Sequence, residues 1–203
     1  MKFYSYSYLT LATFLLPATV SIAQQRQPTH RRHKAIVTKS PSDSVMLRRK
    51  AIYFIKQVKE YALADSKFKL ENQPASLSYM GCLQAVLADK QTFTPLELKA
   101  IEMAANKKSA TWSSTEFADD KLINTDTISA VFKNKLKGWR YFHEHIAESV
   151  HSFSFPIFIR NNMYCLFYAA MYCGELCAEG DLILYKKSGA NWIIVKRYCS
   201  WVS

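Results

Sequence analysis

The sequence predicts an α+β fold, with N-terminal helices packed on a C-terminal four-stranded antiparallel β-meander. Two observations carry this. Apolar residues recur at helical spacing as far as about residue 150, and after His151 the pattern changes to β-rich runs separated by turn residues. Helices first and strands last is the layout in which helices cover one face of an antiparallel sheet. Apolar residues make up 49% of the chain, enough for a real core.

The chain begins MKFYSYSYLTLATFLLPATVSIAQQ. Lys2 supplies a positive start, Leu9 to Val20 is mostly apolar, and Ser21-Ile22-Ala23 ends in small residues. That is the anatomy of a secretory signal over residues 1–23, with cleavage after Ala23. The apolar run is shorter than the ~20 residues a membrane span needs, and Pro17 interrupts it. The expectation is an exported, soluble chain, periplasmic or extracellular, with no transmembrane segment.

Residues 24–44 have no aromatic residue and few large apolar ones, so they read as a disordered basic arm. Residues 24–60 carry ten Lys/Arg against Asp43 and Glu60, a net +8, whereas residues 61–203 carry only +2. The basicity belongs to the arm and first helix, which argues against sequence-specific nucleic-acid binding by the globular part. Arg31, Arg32 and Lys34 could touch a polyanion, giving weak, salt-sensitive contact with an anionic surface through residues 24–43.

Residues 45–203 are expected to form a single domain. Ser42, Asp43 and Ser44 are good N-caps for a first helix whose stripe is Ala51, Phe54, Ile55, Val58 and Ala62. A second helix is expected from about Ser76 to Ala88, with Leu77, Met80, Leu83 and Leu87 on one face. The third has the clearest local signal, TFTPLELKAIEMAAN. Thr94 caps it, Pro95 opens it, Glu97 completes a capping box, and Phe93 and Leu98 are placed as a hydrophobic staple. A fourth helix is expected from about Thr127 to Ser149, with Phe132, Leu136, Trp139, Ile146 and Val150 as its stripe and a bend or break at Gly138. His143 falls in the same stripe, the usual place of a packed histidine.

FPIFIR, Asn161-Asn162 and MYCLFYAAMY then read as a hairpin, with Pro156 marking an edge. DLILYKK, SGAN and WIIVKRYCSWV read as another.

YCGELCAEGD, from Tyr172 to Asp181, could be a redox site, a metal knuckle or a stapled loop. The spacing is C-x-x-x-C between strands, where no helix dipole lowers a thiol pKa, and Glu175 and Glu179 would raise it. A structural zinc site needs four ligands, usually two pairs, and no second pair follows. In an exported chain a disulfide is the default. If the two hairpins close near Cys177 and at Gly189-Ala190, Cys173 and Cys199 both lie opposite Gly180, about 9–10 Å apart and too far to bridge. Cys177 can reach either. Loop entropy makes the Cys173–Cys177 closure worth about 2 kcal/mol and Cys177–Cys199 about 3.4 kcal/mol. Both stay open, with Cys173–Cys177 favoured. Buried Cys82 or Cys165 would serve as a small hydrophobe.

WRYFHEHIAESVH offers His143, Glu144, His145, Glu148 and His151 as metal-ligand types. The zincin arrangement needs two His at i and i+4, whereas His143 and His145 lie two apart. Glu144, Glu148 and His151 share a face if the helix continues, and could hold a metal there. Ser152 and Ser154 follow closely, but no nucleophile elbow and no Gly-rich phosphate loop is present. No cofactor is implied.

The tail also resembles a C-terminal module of secreted bacterial proteins whose activity is uncharacterised. The shared features are Phe153-Ser154, Pro156-Ile157-Phe158, Cys173-Gly174, Cys177, Gly180 and Trp192, over about 50 of 203 residues. Ala178 stands where those proteins tend to have a glycine. The resemblance implies export and a stapled sheet, and supplies no mechanism. Taken together, the sequence reads as an exported binding or interaction protein with an envelope or extracellular partner and no visible catalytic machinery. The alternative is a small metal-dependent or hydrolytic enzyme using the His143–His151 cluster, and a third reading is an envelope protein tethered by its arm.

Overall fold

The computed structural model describes residues 43–203 except 66, 79, 80 and 135. The expected signal segment 1–23, nearly all of the expected arm, and with it Arg31, Arg32 and Lys34, lie outside the described residues. Among the described residues no helix is long and apolar enough to cross a membrane.

The fold is helices on a mixed sheet. Helix α1 (Asp43–Val58) buries Ala51, Phe54 and Ile55, three of the residues its spacing marks. Lys59 interrupts it before α2 (Glu60–Ala64), so the first stripe is split over two helices. Strand β1 (Leu70–Glu71) follows. Helix α3 (Cys82–Leu87) is half the expected length, because Gly81 sits at its start with φ +72°, a left-handed conformation that ends helical continuity upstream. Helix α4 (Pro95–Asn106) begins at the expected capping box, with the Glu97 N–H donating to Thr94 Oγ1 at 3.3 Å and the Thr94 N–H to Glu97 Oε2 at 2.9 Å.

Strand β2 (Leu122–Ile123) precedes α5 (Thr125–Lys133) and α6 (Gly138–His145). One continuous helix from Thr127 to Ser149 does not form. Gly138, at φ +58°, starts a second helix, Leu136 between the two is 88% exposed, and Val150 belongs to a strand. The continuous stripe is therefore not a single buried face.

The remaining strands are β3 (Val150–Phe153), β4 (Ile157–Ile159), β5 (Tyr164–Gly174), β6 (Cys177–Ser188) and β7 (Asn191–Val202). The sheet is not the expected four-stranded meander. It has seven strands in the order β2-β1-β3-β5-β6-β7, with β4 also on β5, and β1 lies parallel to both β2 and β3. The two-residue strands β1 and β2 have no period to read in a sequence.

Helices cover both faces, not one. Leu166, Tyr168 and Ala170 of β5 pack with Leu182 and Leu184 against α3 and α4. The intervening Cys165, Phe167 and Ala169 pack with Ile183 and Tyr185 against Phe54 and Ile55 of α1. Strict alternation on β5 and β6 thus feeds two cores. A third cluster joins Val131 of α5 and Phe142 of α6 to Ile123 and Val150.

Strands β3 and β4 both pair with β5 and are separated by Ser154-Phe155-Pro156. Pro156 has no N–H to donate to a ladder. At the break the Ser154 side chain stands in for backbone, its Oγ accepting the Tyr168 N–H at 2.9 Å. Asn161 and Asn162 do take positive φ in the β4–β5 turn, and Arg160 joins them at +51°.

Candidate functional site: a trough at the strand break

The interruption between β3 and β4 leaves a gap that helices α1 and α4 do not fill. An open trough of about 450 Å³ lies there, walled by Val45 and Leu47 of α1, Ala104 of α4, Phe155 and Pro156 of the break, and Ile157 and Phe158 of β4. Val45 and Leu47 precede the buried part of α1 and remain 42% exposed each. The trough surface is mainly apolar, and no Asp or Glu lines it.

Its walls are anchored from behind. Phe155 stacks on Trp112 with centroids 5.8 Å apart and planes at 12°. Arg48 lies over the Trp112 ring at 5.5 Å, donates to the Thr111 carbonyl at 2.6 Å, and forks onto Glu116, reaching Oε2 at 2.7 Å. Burial alone would raise the Glu116 pKa, but the Arg48 guanidinium and the Ser113 N–H and hydroxyl outweigh it, so the carboxyl titrates below its usual value. Arg48 is therefore a neutralised strut. Phe158 meets Phe54 edge-on at 5.9 Å, which ties the other end of the trough to the α1 core.

A second, smaller recess of about 260 Å³ adjoins the trough, and Ala104, Lys107, Lys108, Ser109, Phe155 and Ile157 line both. The recess adds Gln73, Ser76 and Asn106, so its character is polar. Lys107 and Lys108 follow directly on α4, are exposed, and have no carboxylate partner among the described residues.

No family model, curated protein or solved structure matches this chain. The site must therefore be read from its own geometry.

The residues singled out from sequence lie elsewhere. Cys173 and Cys177 are bridged across the β5–β6 turn, with Glu175-Leu176 between Gly174 and its partner Cys177. Cys173 does not face Gly180, whose partners are Ala170 and Trp201. Cys177 and Cys199 are not joined. Cys199 is bridged to Cys82, Cα atoms 5.2 Å apart, so Cys82 is not a free hydrophobe; Cys165 is the free, buried thiol. The second bridge pins α3 to the edge strand β7. Beside it, Asp89 accepts Lys196 Nζ and the Tyr198 hydroxyl, each at 2.7 Å. Lys196 above all, with Thr92 and Tyr198, holds that carboxyl well below the usual carboxylate range.

The metal trio is dispersed. Helix α6 ends at His145, so Glu144, Glu148 and His151 share no helix face. Glu144 is exposed, Glu148 pairs with Lys67, and His151 lies on β3 with its ring 4.5 Å from that of Phe68. Burial, helped by the Lys59 charge, lowers the His151 pKa to about 4. His143 is exposed instead of packed. Among the described residues no group of three or more His, Cys, Asp or Glu is placed to hold a metal.

On the same sheet face as His151, Asp181 accepts Arg197 at 2.7 Å and Ser200, below the end of α1. Burial lowers the Lys59 pKa there, against Asp181 and Glu179, which raise it. Within this patch the ion pair is Arg197–Asp181.

The trough itself was not anticipated. Its walls come from residues near 45, 105 and 155, and no single stretch contains it. Two local signals bore on it: Pro156 inside a β-rich run, and Lys107-Lys108 directly after a well-capped helix.

Proposed function

We propose that the protein is an exported binding protein whose ligand seats an apolar body in the trough between α1, α4 and the β3–β4 break. The observation that carries this is the trough: an apolar concavity of about 450 Å³, within the size range of small-molecule sites, on walls fixed by aromatic stacking. Two disulfides among five cysteines support an oxidising compartment, as the signal-like start of the chain does.

The test is titration with an uncharged naphthylamine dye that fluoresces in apolar surroundings. Saturable 1:1 binding is expected, weakened at least tenfold by Ala104→Trp, which fills the trough from an exposed position, and by Leu47→Asp. Binding indifferent to both substitutions, or no binding, refutes the reading. Fractionation of cells expressing the full chain checks export: a processed, thiol-blocked-resistant chain outside the cytoplasm is expected, and an unprocessed cytoplasmic chain with free thiols contradicts it.

A further inference from the structure

The trough and the recess differ in chemistry although they share a wall. The trough surface is mainly apolar; the recess adds Gln73, Ser76 and Asn106 to the Ser109, Lys107 and Lys108 that line both. No carboxylate lines either one. Both lysines stand on the shared wall, and neither ammonium is neutralised by an acid among the described residues. A ligand that fits both spaces has an apolar body, a polar end and negative charge at that end.

A simpler role for Lys107 is to complement the negative end of the α4 dipole, since it is the C-cap residue. Such an interaction is small at an exposed position and fades beyond the last turn. It accounts for Lys107 in part, and not for Lys108 or for the absence of acids from two adjoining cavities.

We infer that the occupant is a single-chain alkyl carboxylate, its hydrocarbon in the trough and its carboxylate in the recess beside Lys107 and Lys108. This rests on the trough being the ligand site. A carboxylate head meets the two flexible ammonium groups as point charges, and the nearby guanidinium fork, which would grip a phosphate bidentately, is taken on Arg48 by Glu116. The chain is of medium length. A closed cavity of ~150 Å³ holds one benzene, and the trough offers about three times that volume.

The experiment is calorimetric titration of the exported, full-length processed protein with decanoate, 1-decanol and butanoate, each below its aggregation concentration. Decanoate is expected to bind 1:1 and at least tenfold more tightly than decanol, and butanoate to bind too weakly to detect. Lys107→Gln with Lys108→Gln, at two exposed positions, should bring decanoate down to the decanol affinity and lower decanol affinity far less than it lowers that of decanoate. Equal affinity for decanoate and decanol, both lost in Ala104→Trp, overturns the anionic head while the trough stands as the site. Butanoate binding as tightly as decanoate, or a decanoate preference that survives the double lysine variant, places the charge contact elsewhere and also overturns it. Binding of neither decanoate nor decanol, or binding untouched by Ala104→Trp, overturns both the inference and the site.

Discussion

The two disulfides invite a comparison in which the perturbation has the same chemistry and the expected cost differs. Cys82–Cys199 closes a sequence separation of 117, whereas Cys173–Cys177 closes one of 4. If a bridge acts chiefly by restricting the unfolded chain, the loop-entropy relation gives about 5 kcal/mol for the long loop and about 2 kcal/mol for the short one at 25 °C. The buried Cys82 sulfur, packed among Leu83 and Val86, adds on the order of 1 kcal/mol when replaced by Ala. The pair C82A/C199A should therefore lose about 6 kcal/mol and C173A/C177A about 2 kcal/mol. Urea unfolding followed by tryptophan fluorescence measures both. The long-loop variant should also show a larger m-value, because its unfolded chain expands further. Equal costs, or a larger cost for C173A/C177A, would refute the entropic reasoning and place the stabilisation in native contacts. A C82A/C199A chain that does not fold at 25 °C agrees with the estimate only if C173A/C177A does fold.

Three further outcomes are expected. Gly180→Ala would set a Cβ 2.5 Å from Trp201 Nε1, so the indole must leave Gly180 and its 3.2 Å bond to the Tyr168 hydroxyl; a loss of about 2–3 kcal/mol with a changed near-UV circular dichroism spectrum is expected, and an unchanged spectrum contradicts this. Ser154→Ala removes the Oγ that accepts the Tyr168 N–H at the strand break and should cost about 1–3 kcal/mol in the same urea assay, whereas Thr94→Ala at the α4 cap should cost about 1 kcal/mol. His151 titrates lower in the folded chain, near 4, than its ordinary value of 6.5, so the unfolded chain binds the extra proton first. Stability from this group is full above pH 6.5 and falls as pH drops from 6.5 to about 4, by up to ~3 kcal/mol; His151→Phe should flatten the pH profile over that window, and an unchanged slope contradicts this.

Legibility in the sequence followed the range of the interactions. The α4 start was readable because Thr94, Pro95 and Glu97 settle it within four residues. The β4–β5 turn was readable because Asn161 and Asn162 tolerate positive φ. The Cys82–Cys199 bridge was not, since helix α3 and strand β7 are adjacent only after folding. Strands β1 and β2 exist through parallel pairing, β1 with β3 and β2 with β1, and carry no pattern of their own. Leu136 shows the limit of periodicity: it fits a helical stripe, yet the break before Gly138 turns it out to solvent. The trough lay beyond reach for the same reason, being assembled from three distant segments.

The pairing of Cys82 with Cys199 also sets a constraint on maturation. In a chain made from its N-terminus, Cys82 is the first of the five thiols to appear and Cys199 the last. Cys165, Cys173 and Cys177 all emerge between them and compete for Cys82 by thiol–disulfide exchange. Cys173 and Cys177 can find each other within a few residues, which removes two competitors early, and Cys165 then becomes the single wrong partner. In the folded sheet burial drives its pKa well up and suppresses the thiolate, which disfavours exchange with Cys82 once β5 is covered. Covering of β5 before Cys199 is available would favour the native pairing, and cells lacking a disulfide isomerase are expected to accumulate a Cys82–Cys165 form.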